Sequence, residues 1–108
     1  MEITASVVNE TPVLTLQGRL DGLAAPAVEE KVAALLATGP QRMVFDCSGI
    51  EYASSAGLRV FLATAKKLKT VGGRCGFAAL TPPLREIFGV SGFLDVLEIH
   101  DNLESATA

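Results

Sequence analysis

The sequence predicts an α/β domain: an antiparallel hairpin, then strands and helices in alternation on a mostly parallel sheet of four or five strands. Three observations carry this. Two strand-like runs, Glu2–Asn9 and Val13–Leu16, are separated by a short turn and should pair as a hairpin. Two stretches repeat apolar residues at helical spacing: Val28, Val32, Leu35 and Leu36, and Leu58, Phe61, Leu62, Ala65 and Leu68. Short apolar runs at Met43–Cys47 and Arg74–Ala79 follow those helices, as parallel strands joined by right-handed crossovers would.

Each element has a local reason. In the first strand Ile3, Ala5 and Val7 alternate with Glu2, Thr4 and Ser6, which gives one dry and one wet face. Asn9–Pro12 is a turn, and the second strand ends at Gly18. Arg19 to Ala25 reads as a loop; Asp21 is a plausible cap and Pro26 suits a first helical turn. Thr38-Gly39-Pro40 ends that helix. After the Met43 strand, Ser48–Tyr52 reads as a turn, and Ser54 or Ser55 caps a helix running to about Val71. Thr81-Pro82-Pro83 opens a third helix with Leu84, Ile87 and Phe88 inside; Gly89–Gly92 breaks it. Leu94–Ile99 is a fifth strand, and Asp101 or Asn102 caps a short terminal helix that should fray.

Composition narrows the function classes. One domain, 1–108, is expected from 108 residues, and 49% hydrophobic content suffices for a core. A net charge of −3 argues against a nucleic-acid partner, which requires a basic face. Lys66, Lys67 and Lys69, the one basic cluster, suit the solvated C-terminal end of a helix. No apolar run is long enough to span a membrane, and MEITASVV lacks the basic start of a secretory leader. A cytoplasmic protein without a membrane partner is expected. Cys47 and Cys75 have no CxxC spacing and no clustered histidine, so they read as reduced core thiols and no metal site is expected. Glycines at 72, 73, 89 and 92 do not form a phosphate loop, so no nucleotide cofactor is expected.

The informative stretch is Met43–Thr70. A buried strand ends in Asp46-Cys47-Ser48, and Ser54-Ser55-Ala56-Gly57-Leu58 opens a helix. A hydroxyl there sits at the positive end of the helix dipole, where anions are favoured. These residues resemble the STAS family, the anti-sigma factor antagonists of bacteria, whose pattern is Asp-x-Ser followed by Asp-Ser-Ser/Thr-Gly-Leu. Gly18-Arg19-Leu20-Asp21 and the segment from Ile87-Phe88 through Leu97 are also similar, so the likeness spans nearly the whole chain. The resemblance implies that a partner kinase phosphorylates Ser55, and that the partner is an anti-sigma factor with a serine-kinase ATPase fold. The unphosphorylated domain would bind it and free a sigma factor. Ser54 replaces the usual Asp, and Ala56 replaces the second hydroxyl residue. These departures suit an alternative, a non-switching STAS adaptor in a larger signalling or transport assembly.

The same residues admit other readings. Ser55 can be a plain helix cap. Ala53-x-Ser55-x-Gly57 is one residue away from a hydrolase nucleophile elbow, with Asp95 and His100 following in order. The short chain, the missing glycine-rich oxyanion loop and a lone, surface-read His100 speak against that enzyme. Asp46 should brace the following loop by accepting the Ser48 and Gly49 N–H groups, and so position Ser55. Asp21 either caps the first helix or stands beside Ser55. Tyr52 is either a contact residue or packed under the loop. The loops Gly18–Asp21, Ser48–Ser54 and Leu80–Pro83 should gather at the C-terminal edge of the sheet. The expected partner surface is Arg19, Asp21, Glu51, Tyr52, Ser54, Ser55, Leu58 and Arg59.

Overall fold

Asn9 and Glu10 both have positive φ, +49° and +64°. That is the backbone of a two-residue type I′ turn, whose twist matches a hairpin. It joins β1 (Glu2–Val8) to β2 (Thr11–Leu20) in antiparallel register, Glu2 opposite Gln17. The computed structural model describes residues 1–108. After the hairpin come α1 (Ala25–Leu36), β3 (Arg42–Ala53), α2 (Ser55–Thr70), β4 (Arg74–Ala78) and α3 (Pro82–Val90). A 3₁₀ turn at Phe93–Asp95, β5 (Glu98–His100) and α4 (Leu103–Ala106) complete the chain. The sheet order is β1-β2-β3-β4-β5, and every pair except the hairpin is parallel.

The apolar stripes of α1, α2 and α3 meet one face of the sheet. Val28, Val32, Val60, Phe61, Leu68, Leu84 and Phe88 share a buried cluster with Leu14, Leu16, Phe45, Cys47 and Phe77. Phe61 stands between Phe45 and Phe77 at ring separations of 4.9 and 5.1 Å, within the range of favourable aromatic pairing. Burial in this cluster raises the Cys47 thiol well above its ordinary pKa, with smaller contributions from Asp46 and Cys75. Cys75 is raised as well, mainly by burial and then by Glu98. Both are free and buried, as expected of core thiols.

β3 differs most from expectation. Ser48–Tyr52 is not a turn: the strand runs unbroken to Ala53. Its pairing with β2 slips twice, between Thr15 and Gln17 and between Gly18 and Arg19. Each slip leaves one extra residue on β3, which defines a β-bulge. Core-facing residues therefore run Met43, Phe45, Cys47, then Ile50 and Ala53. The period changes from two to three, and the alternation that marks a strand disappears. Arg19 and Leu20, expected in a loop, belong to β2 for the same reason.

β4 pairs with β3 only as far as Asp46 opposite Ala78. Beyond that point the helix N-terminus of α3 approaches the free side of β3. The Thr81 hydroxyl donates to the Ile50 carbonyl at 2.7 Å and accepts the Leu84 N–H at 3.3 Å. One side chain thus caps a helix and satisfies a strand carbonyl. Thr81→Ala should lower unfolding free energy by about 1–2 kcal/mol, the cost of a lost cap. An unchanged urea midpoint would show that the bond to Ile50 contributes nothing.

The chain end also departs from expectation. Of the proposed Leu94–Ile99 strand only Glu98 and Ile99 are extended, β5 running one residue further to His100, and Phe93–Asp95 is a 3₁₀ turn. α4 is capped by Asn102, one of the two candidates, and is anchored on the sheet. Ala106 is fully buried with Val13, Val44 and Ala78 on the second face of the sheet. The Arg42 guanidinium donates to the Ala106 carbonyl and, at 2.9 Å, to the Ala108 carbonyl. His100 is half-buried and paired, not a free surface residue. Its Nε2 lies 2.9 Å from Glu98, which also pairs with Arg74 at 2.8 Å. Partial burial alone would raise the Glu98 pKa; hydrogen bonds from His100 and Arg74 outweigh it and lower the value. β1 has less of a dry face than its alternation implies: Ile3 is partly buried, but Val7 is 69% exposed.

Candidate partner-binding site

β2 and β3 end side by side, with Arg19 opposite Tyr52 and Leu20 opposite Ala53. The chain leaves β3 at Ala53 and enters α2 two residues later, so the entry to α2 lies against the end of β2. The Leu20 carbonyl accepts the Ser54 N–H at 2.9 Å and the Ser54 hydroxyl at 3.5 Å. Ser54 is extended (φ −83°, ψ 174°), and its oxygen accepts the Gly57 N–H at 3.4 Å, which makes it the N-cap.

Gly57 explains how close this approach is. A Cβ there would stand 2.6 Å from both the Leu20 carbonyl oxygen and the Leu20 Cγ. Only glycine lets the first turn of α2 settle on β2. Ser55 is the first helical residue and is exposed. No acidic residue occupies the first turn of α2, so the positive end of its dipole is unopposed there.

The surrounding side chains come from three elements. The Arg19 guanidinium lies over the Tyr52 ring, 4.5 Å from its centroid. This cation–π contact leaves Tyr52 37% exposed, so the ring is a surface group and is not packed under a loop. Glu51 is the extra residue of the second bulge and is exposed. Leu58 is half-buried against the core, whereas Arg59 is exposed one turn beyond Ser55. Arg59 borders a groove of about 600 Å³ between α1 and α2, together with Glu29, Glu30 and Lys67.

Asp21 braces the approach to α1 without being its N-cap. Its Oδ1 accepts the Leu23 and Ala24 N–H groups, each at 3.1 Å, and so braces the turn leading into α1. The formal cap of α1 is Ala24, which has no side-chain bond to give. Asp21 also directly follows Leu20, the residue that holds Ser54, so it stands at the rim of the same edge. Asp46 does not. Its Oδ1 accepts the Ser48 N–H at 3.1 Å, and its Oδ2 accepts the Thr15 hydroxyl at 3.4 Å. These bonds brace the first bulge inside β3, not a loop beside Ser55. From Asp46 to Ala53 the strand runs on the order of 20 Å at about 3.3 Å per residue.

The hydrolase constellation does not assemble. His100 pairs in the sheet with Ala78, level with Asp46, and its Nε2 is held by Glu98. The Ser55 hydroxyl is at the far end of β3.

Two exposed apolar positions lie near this edge without having been singled out by sequence. Leu23 is 93% exposed and borders a small depression with Arg19, Asp21 and Ala24. Val90 forms one wall of a cavity of about 440 Å³ with Tyr52, Pro83, Glu86 and Ile87. Val90 is off the Leu84–Ile87–Phe88 stripe, and an apolar residue off the stripe was the available signal. Leu23 gave none, because the loop around it has no period.

Comparison with known proteins agrees with this geometry. A family model described as STAS domain matches residues 2–106. BtrV of Bordetella bronchiseptica, named as an anti-sigma factor antagonist, is 36% identical over 108 residues, 100% of this chain and 93% of that protein. The crystal structure of an anti-sigma factor antagonist from Mycobacterium paratuberculosis superposes with a TM-score of 0.88 at 28% identity, covering 97% of this chain and 89% of that one. A Thermotoga maritima structure of the same description has a TM-score of 0.90 at 17% identity, over 96% and 90% of the two chains, and bears on the fold alone. With a family model matched over residues 2–106 and a relative 36% identical over all 108, this chain belongs to the STAS domain family.

Proposed function

We propose that this domain is an anti-sigma factor antagonist: a cytoplasmic regulator, not an enzyme, that binds an anti-sigma factor and is released when that partner phosphorylates Ser55. The observation that carries the reading is the exposed Ser55 at the unopposed positive end of α2, on an edge built by Leu20 and Gly57. The names of its relatives support the partner class. The kinase fold of that partner comes from the family resemblance. No helix is long and apolar enough to cross a membrane.

Ser54 in place of the usual Asp does not weaken the site mechanically. Serine and aspartate are comparable N-caps, and Ser54 accepts the Gly57 N–H. It also leaves one negative charge fewer beside a Ser55 phosphate. Ala56 is half-buried, so a hydroxyl there is not needed to fill the surface. A non-switching adaptor remains the second reading, favoured by that missing second hydroxyl. Incubation with the partner kinase and ATP, followed by intact-mass and fragment analysis, separates the two: one phosphate on Ser55 for the switch, none for the adaptor.

The partner surface proposed is Arg19, Asp21, Glu51, Tyr52, Ser54, Ser55, Leu58 and Arg59. Arg59 is a test of it because the residue is exposed and makes no ion pair within 4 Å. Arg59→Glu should weaken partner binding about tenfold at low salt, with a smaller loss at high salt, as expected for a rim charge. Equal affinity for both proteins in a titration at low salt would place the interface elsewhere.

A further inference from the structure

β1 is an outer strand of the sheet, and its free edge is unguarded. Edge strands are usually blunted by lysine, proline, a bulge or a covering element. β1 has none of these: its register with β2 is unbroken, and Glu2 at its start is the only charged residue in Glu2–Val8.

The direction of its backbone groups follows from the hairpin. A two-residue turn makes Val8 and Thr11 a hydrogen-bonded pair. Alternation then aims the N–H and C=O groups of Ser6, Thr4 and Glu2 inward at β2. Those of Val7, Ala5 and Ile3 point outward. We propose that this edge docks a second copy of the chain, β1 against β1, antiparallel across a two-fold axis through Ala5.

The edge is self-complementary in that register. Ala5 faces the partner's Ala5, and Ile3 faces the partner's Val7, so every outward group of the three residues finds its mate in about six hydrogen bonds. Glu2 falls opposite the partner's Val8, so no like charges meet. Ile3, Ala5 and Val7 share the helix-side face, where Ile3 already touches the core. The exposed Val7 gains an apolar cross-strand neighbour in Ile3 of the second copy. A two-fold contact of this kind is closed, so it stops at a dimer of ten strands.

The interface is of the small class, and the dimer should be weak, with a dissociation constant on the order of 10–1000 µM. It also leaves the Ser55 edges free. Glu2 pairs with Gln17, so the start of β1 lies toward the Ser55 end of β2. The antiparallel two-fold then sends the two Ser55 edges to opposite ends of the joint sheet. Dimerisation is therefore independent of the proposed phosphorylation switch.

Sedimentation velocity from about 10 µM to 1 mM, on the full chain alone, tests the dimer. The expected result is a concentration-dependent monomer–dimer equilibrium that Ala5→Lys weakens at least tenfold, by setting two lysines face to face. Ala5 is exposed, so the variant should melt like wild type. Ala5→Cys tests the register. Hydrogen-bonded antiparallel partners have Cα atoms about 5.5 Å apart, within disulfide reach. Mild oxidation should cross-link Ala5→Cys into a dimer and leave Thr4→Cys monomeric. The proposal is overturned by a wild-type monomer at every concentration, by an equally strong dimer in Ala5→Lys, or by equal cross-linking of the two cysteine variants.

Discussion

Gly57→Val should destabilise the domain by about 3 kcal/mol or more, the upper range for forcing atoms into a packed site. A Cβ at this position meets a backbone carbonyl at 2.6 Å, and a backbone atom is not free to turn aside. The Leu20 carbonyl is held by the Ser54 N–H, so relief requires α2 to lift from β2. That movement would break the Ser54 cap and uncover Val60 and Phe61, both buried beneath the first turns of α2. Gly57→Ala should be milder, because about 1 kcal/mol of helix propensity offsets part of the clash. Gly22→Ala is the control, since a Cβ at Gly22 meets nothing within 4 Å. For a domain of this size 1 kcal/mol corresponds to roughly 4–8 °C in Tm, so the three variants should separate cleanly in a thermal scan. If Gly57→Val melts with Gly22→Ala, the contact between α2 and β2 is not the tight one described.

Most of this fold is legible in the sequence because most of its elements keep one period. The stripes of α1 and α2 give boundaries within a residue or two, since no bulge or kink interrupts them. The hairpin follows from its short turn. β3 is illegible past Cys47 for a specific reason: each bulge adds a residue that faces neither partner nor core. Ser48-Gly49 and Glu51-Tyr52 then resemble turn chemistry. Gly49 in fact lies at a close approach of the two strands, since a Cβ there would stand 2.7 Å from the Gln17 Cγ and 3.1 Å from the Leu16 carbonyl oxygen. The terminal helix reads as loose because four residues bury little by themselves. Nothing in LESA announces that Arg42, 64 residues before Ala106, will hold the carbonyls of the chain end.

The site is legible in a different way. Ser54 and Ser55 stand out because a hydroxyl pair between a strand and an apolar stripe is local information. The pairing of Arg19 with Tyr52 is not, because it depends on the second bulge setting Tyr52, and not Glu51, opposite Arg19. A bulge has no sequence signature strong enough to fix that register. The unbroken course of β3 also keeps Asp46 out of the site: a strand that continues carries its residues about 3.3 Å apart, whereas a turn would have folded them together.

Phosphorylation of Ser55 should weaken partner binding by roughly a hundredfold or more while leaving the domain folded. The phosphate would carry nearly two negative charges at neutral pH. In the free domain those charges are well placed: Ser55 is exposed, the first turn of α2 holds no acid, and its N–H groups point toward an anion. Arg59, four residues on, shares the helical face and can reach back. The net change in stability should lie between about −1 and +2 kcal/mol, the scale of a charge at a helix end. In the complex a partner packed on Ser55 must bury a dianion or withdraw. An unpaired buried charge costs several kcal/mol, and each 1.4 kcal/mol is about tenfold in affinity. Ser55→Ala should keep binding and abolish the switch. Ser55→Asp should weaken binding only in part, because a carboxylate is smaller and carries one charge. The melting temperature and the dissociation constant of phosphorylated and unmodified protein decide between mechanisms. A large fall in melting temperature would mean that the phosphate unfolds the site and does not merely repel the partner. Equal affinities, or a phosphate found on Ser54, would remove Ser55 as the switch.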